Sequence, residues 1–339
     1  MLLPIDLNNL TIGTTVGGLI LIQGYTKQLN TQSKAPVNGT AVYQGKTVTF
    51  KVWQGVAQDI LNTGDYTGMI AAVTGKVTEY RDNLDLTIDT INFNHGITDK
   101  ALFYKSVDTQ QVWSNVQTFL NSNMNSEGMP VLNAIFSVEG VMQKFQTTWA
   151  GAKMHDAQVG GLMNHTYKML RIAETLIMND KRLEPMKDLL YLSILVHDIG
   201  KIKEITDGGV YTPLSFVGHR TFGIELLVPL KETIVQSYNE EFYYEVLAVV
   251  QGHHGKEYGD APTSIMAQIV AYIDMLESQT TGFLDRIEVD DVRVATDKHV
   301  YHDGNRLHVY NYGKVLGEEN VPVLNPNMTQ PYNGNLNGN

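Results

Sequence analysis

A chain of 339 residues is longer than one compact core usually organises, so two folded units with connecting or terminal segments are expected. Its 43% hydrophobic content suits buried cores, no run is long and apolar enough to span a bilayer, and the total lack of cysteine excludes disulfides, thiolate metal sites and cysteine nucleophiles. With 25 Lys+Arg against 36 Asp+Glu the formal charge is -11, the wrong sign for gripping long nucleic acid by phosphate neutralisation alone, so affinity for a polynucleotide would need local funnels, stacking platforms or metal ions.

The N-terminus, Met1 to Asp6, lacks the basic residues and sustained apolar run of an export signal, which makes the cytoplasm the default location. From about Thr14 to Phe93 the chain reads as short strands at Leu19 to Ile22, Thr47 to Trp53, Ile70 to Val73 and Leu84 to Phe93. Val48, Phe50 and Val52 alternate with Thr47, Thr49 and Lys51, the period of a half-buried strand. Turns are expected at Asn38-Gly39, Gly45-Lys46, Gly64-Asp65 and Asn83, and Thr26 to Val42 reads as a long barrel loop. This pattern suggests a small closed β-barrel of OB-fold type over residues 1–100.

From Ser106 the period becomes helical, with Val112, Val116 and Phe119 and then Ile135, Val141 and Phe145, interrupted by polar Asn121 to Gly128. A pair of linking helices is expected over 101–150, followed by a strongly helical domain over 151–286. Val300-Tyr301 and Leu307 to Tyr310 flank His302-Asp303-Gly304-Asn305, a hairpin pattern within a C-terminal extension over 287–324. Residues 325–339, rich in Asn, Gly and Pro without periodicity, read as a disordered tail. The fold class is therefore multi-domain α+β, a small barrel followed by an all-α bundle.

Six of the ten histidines lie between His155 and His254. His165 shares a four-three-four stripe with Met169, Ile172 and Leu176, and so points toward a core. His197-Asp198 ends an apolar helix just before Gly200, read as its C-terminal stop. His219 opens a helix in line with Phe222 and Leu226, and His253 and His254 follow Val249 and Val250 by four residues at another helix end. Asp274 falls four residues after Val270 on a core-like face, where an unpaired carboxylate is costly. Each residue alone admits a structural role, a packed histidine or an interhelical hydrogen bond. Together they need several separate buried partners, whereas one metal centre satisfies all of them. Imidazole and carboxylate without sulfur suit Mn, Fe, Co, Ni or Zn better than an all-oxygen Mg site, and Mn is favoured.

The order His165, His197-Asp198, Asp274 and the string Val196-His197-Asp198-Ile199-Gly200-Lys201 resemble the HD-domain metal-dependent phosphohydrolases. More narrowly, Lys51-Val52-Trp53, Gly160 to His165, Gly218-His219, His253-His254-Gly255-Lys256 and Tyr272-Ile273-Asp274 are similar to YhaM-type 3'-5' exoribonucleases, in which an OB-fold precedes an HD domain. The resemblance covers about Leu19 to Arg286. It implies two divalent cations, with His165, His197, Asp198 and Asp274 on the first, His219, His253 and His254 on the second, and Asp198 bridging. His155, ten residues before His165, is a further ligand or substrate-contact candidate, and the family's second histidine beside it is Asp156 here. The resemblance also suggests a homo-oligomer.

The expected activity is hydrolysis of single-stranded RNA, or DNA, from the 3' end by a metal-activated hydroxide, with Asp198 and Lys201 as the catalytic pair and Lys201 contacting the nucleophile or a phosphate oxygen. In the barrel, Tyr43, Trp53 and Tyr80 are stacking candidates for bases and Lys51 a backbone contact, while Phe50 shares the core face of Val48 and Val52. Two alternatives remain: a phosphodiesterase or nucleotidase for small cyclic or linear nucleotides, which the acidic charge favours, and a non-catalytic single-strand-binding module with a structural metal.

Overall fold

The computed structural model describes residues 2–27, 35–80, 83–151, 156–206, 208–289, 299–302 and 305–309. Five strands, β1 (Thr15–Thr26), β2 (Val37–Tyr43), β3 (Lys46–Val52), β4 (Ile70–Tyr80) and β5 (Asn83–Asn92), close into a barrel of order β1-β2-β3-β5-β4. All its pairings are antiparallel except β3 with β5, and helix α1 (Val56–Thr63) lies between β3 and β4. This is the five-stranded Greek-key plan of an OB-fold. Val48, Phe50 and Val52 face inward with Ile20, Ile22, Val73, Leu86 and Ile88, as the alternation in β3 requires.

Strand β2 corrects the expectation of a loop through Val42. Asn38-Gly39 is not a turn but strand, with Gly39 opposite Phe50. A Cβ at Gly39 would sit 2.2 Å from the Phe50 ring, so the bare glycine is what lets that large side chain fill the barrel. The expected turn at Gly45-Lys46 is present one residue earlier, at Gln44 (φ 46) and Gly45 (φ 82), a left-handed pair suited to a two-residue hairpin between Tyr43 and Lys46.

The linker contains three helices rather than two: α2 (Thr109–Asn123), α3 (Gly128–Ser137) and α4 (Val141–Thr147). Asp108 caps α2 by accepting from Gln111 N at 2.9 Å. The unforeseen break lies between Ser137 and Val141, where Val138 is extended and Gly140, at φ 76, leads into α4.

The following helices are α5 (Gly161–Asn179), α6 (Lys187–Val196), α7 (Lys201–Glu204), α8 (His219–Leu227), α9 (Lys231–Ser237), α10 (Glu240–Gly252), α11 (Gly255–Tyr258) and α12 (Ile265–Val289). They share one core with the linker helices, including Phe119, Ile135, Phe145, Met169, Leu192, Leu195, Val249 and Val270. On α5 the buried stripe runs His165, Met169, Ala173 and Ile177, while the expected Leu176 is exposed.

The chain divides into two compact units, Met1–Ser278 and Gln279–Asn339, so the barrel, the linker and the helices from α5 to most of α12 form one unit. In the second, β6 (His299–His302) and β7 (Asn305–His308) make the expected antiparallel hairpin, with Val300 opposite Leu307. The tail over 325–339 lies outside the described residues. Among the described residues, no helix is long and apolar enough to cross a membrane.

Candidate metal centre

Four imidazoles converge from four places in the helical layer, each with Nδ1 held from behind. His197, just past the end of α6, donates from Nδ1 to Ile194 O at 2.7 Å. His253, just past α10, donates to Val250 O at 2.9 Å. A carbonyl can only accept, so both rings carry their proton on Nδ1 and leave the Nε2 lone pair forward. His219 places Nδ1 2.7 Å from Glu204 Oε2, and His165 pairs through Nδ1 with Glu277 Oε2. Holding Nδ1 from behind in this way is the usual support for imidazole metal ligands.

The forward atoms face one another. Asp198 Oδ1 lies 3.3 Å from both His219 Nε2 and His253 Nε2, and its Oδ2 lies 3.4 Å from His197 Nε2. His254 Nε2 is 3.2 Å from His219 Nε2, and Asp274 Oδ1 is 3.3 Å from His165 Nε2. Two ligands bound about 2.1 Å from a common ion lie roughly 3.0–3.4 Å apart, so these spacings match shared coordination. The structure brings Asp198, His219, His253 and His254 into one group and His165, His197 and Asp274 into another, with ligand atoms within 4.8 Å of each other in each. Asp198 presents one oxygen to each group.

Three of these atoms, His197 Nε2, His253 Nε2 and Asp198 Oδ1, are buried with no hydrogen-bond partner. Leaving a buried polar atom unpaired costs about 1–3 kcal/mol, so three such atoms aimed at one another fit a bound cation. The donor chemistry, imidazole nitrogen with carboxylate oxygen, is that of a divalent metal site.

The electrostatics agree. Burial opposes a charge on His165, but Asp274 and Glu277 together raise its pKa to about 10, which shows how strongly this pocket favours positive charge beside the ring. Glu277 is held down at about 2, against the effect of burial, by His165 and Lys168. His254 is pushed down to about 3 by burial and by His253, so it remains a neutral donor. Lys201, although burial opposes its charge, stays above the usual lysine range beside Asp198. Its Nζ lies 2.6 Å from Asp198 Oδ2 and donates to Ala150 O at 2.5 Å.

Gly200 corrects a detail of the sequence reading. Its φ is -66, in the right-handed helical region, so it is no left-handed helix stop. A Cβ there would sit 1.9 Å from His219 O. The glycine permits the turn carrying His197 and Asp198 to lie directly against the start of α8, which sets the Asp198 to His219 distance.

Sequence reasoning missed the carboxylates behind the rings. Glu277, 3% exposed, lies one turn beyond Asp274, and that three-residue spacing on an apolar face was the available signal. Glu204 stands in the same relation to Lys201. Asp156, at φ 47, holds Lys168 at 2.6 Å, and Lys168 in turn lies 2.5 Å from Glu277 Oε1. His155 lies outside the described residues.

Lys201, His219 and His254 open onto a cleft of about 1470 Å³ whose other walls include Leu21, Val42, Thr47 and Gly68 of the barrel. The barrel candidates Tyr43, Lys51, Trp53 and Tyr80 do not line it. Tyr43 packs against the barrel cores, whereas Trp53 and Tyr80 are about half exposed. Lys51 Nζ sits 3.1 Å from Asp85 Oδ2 and 3.9 Å from the Tyr80 ring centre, forming a separate patch on the barrel.

Residues 162–279 match the HD domain family, and the converging histidines and aspartates fall within that stretch, which follows the closed barrel. The chain is similar to the 3'-5' exoribonuclease YhaM of Shouchella clausii, at 27% identity over 287 residues, covering 81% of this chain and 86% of that protein. The 3'-5' exoribonuclease YhaM of Bacillus licheniformis is 27% identical over 289 residues, covering 81% and 88%. That of Bacillus subtilis is 26% identical over 291 residues, with the same coverage.

Proposed function

We propose that this chain is a metal-dependent 3'-5' exoribonuclease that removes nucleotides from single-stranded RNA. The observation that carries the reading is the convergence of unpartnered imidazole and carboxylate atoms at the end of a cleft shared with an OB-type barrel. Relatives named as exoribonucleases match both the barrel and the helical domain. His165, His197, Asp274 and Asp198 Oδ2 would hold one divalent cation, and His219, His253, His254 and Asp198 Oδ1 a second. Mn is favoured, and Fe, Co, Ni, Zn or Mg are alternatives. Bound there, the cations would supply an acidified water and neutralise charge on the phosphoryl oxygens.

The chain's own groups do the rest. The Nδ1 contacts to Glu277, Glu204, Ile194 and Val250 fix four rings so that no reorganisation is needed on substrate entry. Lys201, at the cleft wall, is placed to meet a phosphate oxygen while it orients Asp198. On the barrel, the Lys51 and Tyr80 pair and the exposed Trp53 would hold more distant nucleotides of a long strand. The reading places the protein in the cytoplasm as a homo-oligomer.

The test is incubation of end-labelled single-stranded RNA, DNA and a panel of cyclic dinucleotides with Mn-loaded protein. A ladder of shortening RNA is expected. Hydrolysis of small nucleotides alone would replace this reading with the nucleotidase one, which the charge of -11 favours. No turnover of any substrate would leave only a binding module with a structural metal.

A further inference from the structure

We infer that the last nucleotides of the strand are gripped by a site built from the linker and the α7–α8 connection, with Tyr104 and Tyr211 stacking bases and Lys100 and Lys105 holding phosphates. This inference rests on the exoribonuclease reading of the metal centre and adds where the RNA lies. All four residues line the cleft that contains Lys201, His219 and His254, so a strand held by them ends at the metal centre.

The architecture of the walls supports this. On one side, Lys100-Ala101-Leu102-Phe103-Tyr104-Lys105 interleaves basic and aromatic residues, the composition that single-strand binding uses. The segment is pinned to the helical layer, because Val159 N donates to Lys105 O at 2.9 Å and Val107 N to Val159 O at 3.1 Å. On the other side, Ile205 bridges to Tyr211, and Thr212 N donates to Glu204 O at 2.8 Å. Glu204 thus anchors this turn through its main chain and His219 through its carboxylate. The stacking wall and the metal ligand share one support.

Trp149 sets the distance between the walls. Tyr104 meets its ring edge-on, with centres 4.9 Å apart. Gly209, at φ +69, lies so close that a Cβ would fall 2.4 Å from the same ring. Trp149 itself is only 8% exposed, so it is a positioning residue rather than a stacking surface. Tyr211, by contrast, is 56% exposed, the ring available to a base.

The charge of the cleft suits an anionic strand despite the acidic chain. Its lining carries three lysines, Lys100, Lys105 and Lys201, against two carboxylates, Asp99 and Glu204, and Glu204 faces the His219 ring. Lys100 and Lys105 stand exposed at its wall, a local cationic funnel on a molecule of formal charge -11.

The experiment measures KM and kcat of Mn-loaded full-length protein for a 5'-labelled oligoadenylate, a trinucleotide and bis(p-nitrophenyl) phosphate. Tyr211→Ala should raise KM for both RNAs roughly 5- to 150-fold, the range of one lost base stack, with a much smaller effect on the diester. Tyr211→Phe should restore it, which loss of folding would not permit. Lys105→Ala should reduce the slope of log(kcat/KM) for the oligoadenylate against log salt by about 0.7, the value for one single-strand phosphate contact. Trp149→Ala should raise the RNA KM without removing diester hydrolysis. Equal RNA KM values in wild type and Tyr211→Ala, or an unchanged salt slope in Lys105→Ala, would overturn the strand path while leaving the exoribonuclease reading intact. Wild type that hydrolyses the diester but neither RNA would overturn both.

Discussion

Replacing Glu277 by Gln probes the metal centre from behind, without touching a proposed ligand. The carboxylate serves two donors at once, His165 Nδ1 at one oxygen and the Lys168 ammonium, with Nζ 2.5 Å from the other. The amide keeps the shape but has only one acceptor. If its oxygen faces His165, its NH2 faces the Lys168 ammonium, and if it turns over, it confronts the donor on His165 Nδ1. One charge-assisted contact is therefore lost, at a cost of about 1.5–3 kcal/mol. The ring left behind is also a less basic ligand, and removing such a partner lowers metal affinity about 10–100-fold, or about 1.4–2.8 kcal/mol. Calorimetric titration of the metal-free variant with Mn should show that weakening, and RNA shortening should recover toward wild type when Mn is raised by the same factor. Unchanged Mn affinity in a folded Glu277→Gln protein would refute the assignment of His165 as a ligand oriented by Glu277.

Asp198→Asn should abolish Mn binding and RNA shortening together, as read by titration and gel assay, since one oxygen of Asp198 faces each proposed cation group; an active variant would remove Asp198 from the mechanism. Gly200→Ala should reduce kcat by about 10²-fold, because its Cβ would meet His219 O at 1.9 Å and an ångström of misplacement carries that penalty; wild-type kinetics would show that the turn has room to spare. Chelation of the metal should lower the melting temperature by several degrees, since a ligand at a hundred times its Kd stabilises the fold by about 2.7 kcal/mol. Identical melting curves with and without chelator would argue against a resident ion.

Much of the helical layer was legible because helix periodicity repeats a local geometry. The four-residue steps from Val249 and Val250 to His253 and His254, and from Val270 to Asp274, place each candidate ligand toward the core without knowledge of the neighbours. The alternation in β3 worked for the same reason. β2 was not legible, since Asn38-Gly39 is a strong turn signal locally and is overridden only by the Phe50 ring that occupies the space beside Gly39. Tertiary packing decided that position, as it did the close contact at Gly200.

The candidate ligand residue types and their helical phase are thus properties of the sequence by itself, because each depends on spacing within one segment. Which nitrogen of each ring faces inward, which carboxylates stand behind them, and that Tyr104, Trp149 and Tyr211 come to share one cleft depend on contacts between segments far apart in the chain. His165 and Glu277 are separated by 112 residues, and no local pattern records a partner at that distance. Only the folded core, which sets the spacing of α5 and α12, makes them meet.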